Sequence, residues 1–348
     1  MTCEYAAMTG IHYEHSSRPK AGETMALADG ITWLRMPLPM SLNHINLWLL
    51  RDDGGWVIVD TGVDIPDSRN VWQATFTAAM RDDPATHIIV THLHPDHVGC
   101  AGWLVDEFDV DLWMTREEYM LCRLLVRDTG REAPEEAVRF YRAAGYSEEQ
   151  LALYEKHFGM FGRVVGELPE SYKRMQDGER WQFAGQEWEV IVGRGHSPEH
   201  ACLFDRSRNI LISGDQILPT ISPNVGVWPT EPKADPLRDW FESIDKLLQL
   251  LPEDVLVLPA HGKPFRGAHT RLQQLHKEHT DNLDKLLETG HQPRRAVDVF
   301  GEIFNSNIND GNRIMATGEA LSHLNHLCNA GSMVAENDSA GVTWYRRT

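Results

Sequence analysis

Residues 91–97, which read THLHPDH, limit the folds open to this chain more than any other segment. A nearly all-apolar run precedes them and predicts a strand buried on both faces, so this loop lies at a strand end. His92 and His94 are two residues apart, and in extended backbone such side chains point the same way. A proline then ends the strand, which lets Asp96 and His97 face a second position across the turn. The segment predicts a metal-binding loop.

Imidazole and carboxylate donors without a thiolate match zinc first, with iron or manganese as alternatives. One loop cannot complete two coordination spheres, so other strand ends have to supply ligands. Three donors directly follow apolar strands beside glycine or proline: His196 in GHSPEH, Asp215 in SGDQIL and His261 in PAHGKP. The alternative interpretation is that these are scattered surface residues. Three donors that each follow an apolar strand beside glycine or proline argue against it. The sequence therefore predicts two divalent metal ions where several strand ends meet.

The order of these motifs (HxHxDH, GH, GD, AHG) resembles the metallo-β-lactamase superfamily of hydrolases over about residues 30–264. VIVDTG at 57–62 resembles an early strand of that family, whose aspartate, here Asp60, supports the site from behind the ligands. GHSPEH followed by SGD is similar to the glyoxalase II group and to the lactamase-β-like protein 2 group. The second group also has a C-terminal winged-helix-like extension.

The resemblance implies a role for each matching position. The first metal ion is expected at His92, His94 and His196, and the second at Asp96, His97 and His261, with Asp215 bridging the two. Asp96 and His200 are the predicted catalytic residues. Asp96 is expected to orient the nucleophile, whereas His200 has the equal alternative of an ordinary polar loop residue.

The expected fold is α/β, a four-layer αβ/βα sandwich with the site at one edge. Composition changes suggest a catalytic domain at 1–265, with a helical insertion at about 115–178, and a C-terminal winged-helix-like domain at 266–348. Four tyrosines of the insertion are expected to line the cleft: Tyr119, Tyr141, Tyr154 and Tyr172. Four cations are expected near its rim for a coenzyme A or glutathione thioester: Arg163, Lys173, Arg174 and Lys233.

The implied reaction is hydrolysis by a metal-bound hydroxide, because coordination to zinc lowers the pKa of water towards ~7. We expect a small acyl substrate: a thioester, an ester or a lactone. A nuclease acting on single-stranded RNA and a β-lactam hydrolase are the alternative enzymes. A regulator with a vestigial site is the non-enzymatic alternative, and the complete set of expected ligands argues against it.

Charge and cysteine content restrict the partners and the compartment. Acidic residues outnumber basic ones by 51 to 33, and a net charge of −18 repels nucleic acid and anionic membranes. The five cysteines show no C-x-x-C spacing, which favours reduced thiols in the cytoplasm. The sequence has neither a signal-peptide pattern nor an apolar run of membrane-spanning length. A homodimer is an open expectation.

Overall fold

Two β-sheets supply the strand ends at which the predicted donors lie. The computed structural model describes residues 10–40 and 42–348. Among these residues the first sheet has seven strands, in this order: β1 (Thr24–Ala28), β2 (Ile31–Pro37), β3 (His44–Asp52), β4 (Gly55–Val59), β5 (Ala85–Ile89), β6 (Leu112–Met114) and β7 (Lys173–Arg174). The second sheet has five: β8 (Arg180–Phe183), β9 (Gln186–Gly193), β10 (His200–Asp205), β11 (Ile210–Gly214) and β12 (Leu256–Pro259).

The first sheet changes from antiparallel to parallel pairing at β4. This strand pairs with β3 in the antiparallel sense, Ile58 opposite Leu49, and with β5 in the parallel sense, Ile58 opposite Ile88. The turn into β4 requires glycine at position 55, because φ is +151° and a Cβ there would lie 2.1 Å from the Pro84 carbonyl oxygen. In the second sheet, β9, β10 and β11 are antiparallel, and β12 joins β11 in parallel.

The two sheets pack face to face, and helices cover both outer faces. The helices are α1 (Pro66–Ala78), α2 (Pro95–Val98), α3 (Ala101–Phe108), α4 (Arg116–Arg127), α5 (Glu135–Ala144), α6 (Glu148–His157), α7 (Pro236–Leu250), α8 (Ala268–Thr289), α9 (Phe300–Ile303) and α10 (Arg313–Asn329), with 3-10 turns at Phe161–Arg163 and Ala296–Val299. The inner cluster joins Trp33 and Trp48 of the first sheet to Trp188 and Leu203 of the second. The predicted four-layer α/β sandwich is confirmed.

The helices predicted in the insertion are α4, α5 and α6, between β6 and β7. α6 begins with a capping box, in which the Ser147 side chain accepts from the Gln150 backbone N–H. Tyr141 and Tyr154 are buried in a small cluster within the insertion. Tyr119 is also buried, stacks on Tyr172 with ring centroids 3.9 Å apart, and donates to the Pro169 carbonyl. The expectation that these four tyrosines line the cleft is wrong for the three buried rings: Tyr141 and Tyr154 pack inside the insertion, and Tyr119 packs in the cluster between the first sheet and its helices.

After α8 and α9, α10 leads into a two-stranded hairpin, β13 (Met333–Asn337) with β14 (Thr343–Arg347). The predicted order of helices followed by a hairpin is therefore present, while the winged-helix assignment stays a prediction. Leu324 and Tyr345 share one hydrophobic cluster with Trp240 and Val257. The core thus continues across the predicted domain boundary at 265.

No helix within residues 10–40 and 42–348 is both long and apolar enough to cross a membrane. Four cysteines are free thiols: Cys100, Cys122, Cys202 and Cys328. Cys3 lies outside the described residues.

Candidate metal centre

The histidine-rich loop lies between β5 and α2. His94 is extended, with φ −61° and ψ 146°, as the residue before a proline prefers. Pro95 starts α2, because the fixed φ of proline suits the first helical turn. Asp96 and His97 lie in this first turn, while His92 and His94 precede it. The proline therefore divides the four donors into two pairs, as the sequence predicts.

The other three predicted donors also follow strands. His196 lies three residues beyond β9, Asp215 directly follows β11, and His261 lies two residues beyond β12. β11 and β12 are parallel, with Gly214 paired to Pro259. Asp215 and His261 therefore leave the second sheet at the same edge.

The structure brings all seven predicted ligands together in two groups. The histidine group consists of His92, His94 and His196, and its donor atoms lie within 4.8 Å of one another and of Asp215. The mixed group consists of Asp96, His97 and His261, with the same spacing. His92 Nε2 lies 2.9 Å from His94 Nδ1. In the mixed group, His261 Nε2 lies 3.3 Å from Asp96 Oδ2.

Asp215 lies between the two groups, and each of its oxygens faces one of them. Oδ2 is 3.5 Å from His196 Nε2. Oδ1 is 3.5 Å from His97 Nε2 and 3.4 Å from His261 Nε2. Three of these atoms are buried without a hydrogen-bond partner anywhere in the described chain: His97 Nε2, His196 Nε2 and Asp215 Oδ1. Buried polar atoms are normally satisfied, so lone pairs converging in this way fit a pair of cations.

Three imidazoles are fixed through the nitrogen that faces away from the centre. His97 Nδ1 donates to Asp60 Oδ2 at 2.8 Å. His196 Nδ1 donates to the Asn224 carbonyl at 2.8 Å, and His261 Nδ1 to the His44 carbonyl at 2.8 Å. Such contacts set the tautomer and the ring orientation, leaving Nε2 as the donor to a metal.

Asp60 lies directly beyond β4 with a φ of +62°, which is uncommon outside glycine. Its Oδ1 accepts from the Thr91 backbone N–H at 2.8 Å, and the Thr91 hydroxyl contacts both of its oxygens. The carboxylate thereby links the end of β4 to the histidine-rich loop and contacts His97. This is the supporting position that the family resemblance implies.

The two groups differ in electrostatic character. In the histidine group, burial and the neighbouring His196 lower the pKa of His94 to about 3, and burial with His97 lowers that of His92 well below its usual value. In the mixed group, burial disfavours the charged imidazole, but Asp60 and Asp215 hold the pKa of His97 well above its usual range. His92 and His94 therefore offer neutral lone pairs, and the mixed group combines imidazoles with carboxylates.

His200, the second predicted catalytic residue, lies at the start of β10 and is fully buried. Its Nε2 accepts from the Asp215 backbone N–H at 3.0 Å, and its ring centroid lies 4.6 Å from that of His92. Burial lowers the pKa of His200 well below its usual value, so the ring is neutral and accepts this bond. This contact holds Asp215 in place, and a direct catalytic role for His200 stays a prediction.

Glu118, which was not among the predicted site residues, joins the two loops of the histidine group. It is fully buried on α4. Its Oε2 accepts from the Leu93 N–H at 2.9 Å, and its Oε1 accepts from the Ser197 hydroxyl at 2.6 Å and the Glu199 N–H at 2.8 Å. A helical pattern with a glutamate on its apolar face was the only available signal.

The predicted rim cations are dispersed. Lys173 pairs with Asp111 at 3.6 Å. Arg174 lines a cavity of about 430 Å³ together with Arg194 and Lys246, and with acidic residues that include Glu199. Arg163 lies in a 3-10 turn, and Lys233 is exposed.

Comparisons with known proteins agree with this geometry. Residues 41–261 match the family model of the metallo-beta-lactamase superfamily, and residues 283–348 match that of the metallo-beta-lactamase-like, C-terminal domain. A crystal structure of a beta-lactamase domain protein from Burkholderia ambifaria is similar at a TM-score of 0.89 and 38% identity, covering 97% of this chain and 98% of that one.

The curated relatives include a probable metallo-hydrolase and a thioesterase. The probable metallo-hydrolase YqjP of Bacillus subtilis is 22% identical over 309 residues, which cover 84% of this chain and 91% of that protein. The acyl-coenzyme A thioesterase MBLAC2 of Bos taurus is 23% identical over 251 residues, which cover 69% of this chain and 81% of that protein.

Proposed function

The chain belongs to the metallo-beta-lactamase superfamily, and we propose that it is a hydrolase that uses two divalent metal ions to cleave a thioester, ester or lactone. His92, His94 and His196 hold one ion, and Asp96, His97 and His261 hold the other. Zinc is the expected metal, since every donor is an imidazole or a carboxylate, with iron or manganese as alternatives.

The observation that supports this proposal best is the placement of Asp215. Its two oxygens lie 3.4–3.5 Å from imidazole nitrogens of different groups, as a residue shared by two ions requires. The buried, unpaired nitrogens of His97 and His196 point to the same conclusion within the described residues.

A bound metal pair supplies Lewis acidity, which makes water nucleophilic near neutral pH and stabilises negative charge on the substrate oxygen. The protein's part is to fix the donors and to orient the water. Although burial opposes its charge, His97 and His261 keep the pKa of Asp96 below its usual value. Asp96 thus remains a carboxylate able to accept a hydrogen bond from the attacking water. His200 acts through the Asp215 backbone.

An acyl substrate is favoured over a polynucleotide. A net charge of −18 repels a polyanion. The acyl-coenzyme A thioesterase among the relatives supports a thioester in particular. The cavity beside the His196 loop has three cations (Arg174, Arg194 and Lys246) but also four carboxylates (Asp177, Glu199, Asp239 and Glu242), so its charge does not by itself favour an anionic substrate.

Metal analysis and a substrate panel test the proposal. We expect about two zinc or iron ions per chain and hydrolysis of at least one acyl-CoA, glutathione thioester or lactone. His94→Ala should abolish turnover and leave the thermal midpoint of the metal-depleted protein unchanged, whereas His157→Ala, at an exposed helix end, should retain activity. Fewer than one ion per chain after supplementation would contradict the metal assignment. Activity confined to β-lactams or RNA would contradict the acyl assignment.

A further inference from the structure

We propose that the C-terminal region is a working part of the metal centre, because α8 and α10 hold the loop that orients His196. Residues 218–235, named here the bracing loop, connect β11 to α7 without a strand or an α-helix. The inference rests on the proposed function in one respect, namely that His196 is a metal ligand.

The bracing loop passes both metal-binding groups. It starts three residues after Asp215, and Pro219 packs against Gly262, where an added Cβ would lie 2.6 Å from the proline ring. Further along, the Asn224 carbonyl accepts from His196 Nδ1 at 2.8 Å. The orientation of the His196 ring therefore depends on where the backbone of this loop lies at Asn224.

α10 fixes the loop at this position. The Asn224 side-chain amide donates to Glu319 Oε2 at 2.7 Å and to the Met315 carbonyl at 3.3 Å. The Val227 N–H donates to the Gly318 carbonyl at 3.0 Å. Gly318 permits this approach, since a Cβ there would lie 3.0 Å from the Val227 carbonyl oxygen. A side chain on α10 is thus linked to a metal ligand through one residue of the loop.

The two ends of the loop are held as well. At its start, the fully buried Arg271 of α8 donates to the carbonyls of Leu218 at 2.7 Å and Ile221 at 2.9 Å. At its end, Asn325 of α10 donates to the carbonyls of Pro232 at 3.2 Å and Ala234 at 3.0 Å.

The last contacts of α10 reach the residue that caps α7. His326 and Asn329 contact the Asp235 carboxylate at 3.0 and 3.1 Å. Asp235 in turn accepts from the Arg238 backbone N–H. Contacts with the C-terminal helices therefore recur from residue 218 to residue 235, and Glu319 makes the one nearest to His196.

Loss of the contact between α10 and the bracing loop should lower the affinity for only one of the two metal ions. Partners that orient metal ligands typically change metal affinity by about 10–100-fold when they are removed. Glu319 holds the loop at Asn224, whose carbonyl bonds to His196, so its removal should mainly weaken the binding of the ion at the histidine group. The ion at Asp96, His97 and His261 should be retained, because His97 and His261 are oriented by Asp60 and the His44 carbonyl.

The test is a zinc titration of the full-length chain against a competing chromophoric chelator, combined with thermal denaturation of the metal-depleted protein. Glu319→Ala should lower the affinity for one ion by up to about tenfold, the lower end of the effect of a direct partner, and leave the affinity for the other ion unchanged. Glu319→Gln should restore wild-type affinity, since its amide oxygen still accepts from Asn224. Glu336→Ala, the matched change at an exposed C-terminal position, should have no effect.

A second variant guards against a folding defect. Asn224→Ala removes the same hydrogen bond from the loop side, and the double variant should bind zinc no more weakly than the weaker single variant. The inference is overturned if both folded single variants bind two ions with wild-type affinity. It is also overturned if the substitutions lower the affinity for both ions equally. A wild-type chain that binds no metal in this titration instead overturns the proposed function.

Discussion

Glu118 offers a test of how the histidine group is held in place, because three donors, two of them buried and one partly buried, converge on its carboxylate. Replacing it by alanine leaves the Leu93 and Glu199 N–H groups and the Ser197 hydroxyl without their acceptor. An unsatisfied buried donor costs about 1–3 kcal/mol. Two effects make the total cost smaller than the sum of three such losses. Water can enter the space, and the substitution removes a carboxylate whose burial is unfavourable, as its raised pKa indicates. We therefore expect Glu118→Ala to lower the free energy of unfolding by about 3 kcal/mol.

The free energy of unfolding of Glu118→Gln should lie between those of Glu118→Ala and the wild type. Its one oxygen can keep the bonds from Ser197 and Glu199, but its NH₂ then faces the Leu93 N–H, donor against donor. The expected loss is that of a single bond, about 1–3 kcal/mol. Leu93 lies between His92 and His94, so both substitutions should also lower the affinity for the ion at the histidine group.

Urea denaturation of the metal-depleted chain measures the free energy, and zinc titration measures the affinities. Glu117→Ala is the matched control, because Glu117 is exposed on the same helical turn. Equal unfolding midpoints and zinc affinities for Glu118→Ala and wild type would refute the reasoning. A Gln variant as unstable as the Ala variant would also refute it, because the hydrogen bonds that glutamine retains would then contribute nothing to stability.

Two further predictions concern other parts of the chain. Asp60→Asn should weaken the ion at the mixed group by about 10–100-fold, because the His97 ring loses its carboxylate partner; zinc titration that shows two wild-type affinities would exclude this role. Burial holds the pKa of His279 at about 3 and that of His323 at about 4, against 6.5 ordinarily. The unfolded chain therefore binds more protons below pH 6.5, and the free energy of unfolding should fall by about 2 kcal/mol per histidine between pH 6.5 and 5. Urea denaturation of the metal-depleted chain should show a smaller fall for His279→Gln, and equal falls would contradict the assignment.

The sequence predicted most of the ligands because they follow short apolar strands, and it predicted Asp96 and His97 from the turn at Pro95. His92, Asp215 and His261 could be located by that pattern alone, since parallel and mixed sheets bring strand ends to a common edge. The same reasoning, with the family resemblance, predicted the sandwich and the position of the insertion.

The supporting residues were beyond sequence reasoning. The Asn224 and His44 carbonyls are backbone atoms, which every residue possesses, and only the fold shows which imidazole each one contacts. Glu319 lies 95 positions from Asn224 along the chain, on a helix that reads as ordinary packing. The tyrosines were misplaced for a related reason: aromatic residues near a cleft resemble those of a small buried cluster until their neighbours are known.

The hydrogen bonds that support the two groups predict which substitution lowers the affinity for which metal ion. In the histidine group, His92 and His94 are neutral. The geometry of this group depends on Glu118, which joins its two loops, and on Glu319, which acts through Asn224. The mixed group has carboxylates of its own and is oriented by Asp60. Changes at Glu118 and Glu319 should therefore weaken the same ion although they lie on different helices, whereas a change at Asp60 should weaken the other. If Glu118 and Asp60 variants weakened the same ion, the division of the site into two separately supported groups would be wrong, even if every residue proposed here bound metal.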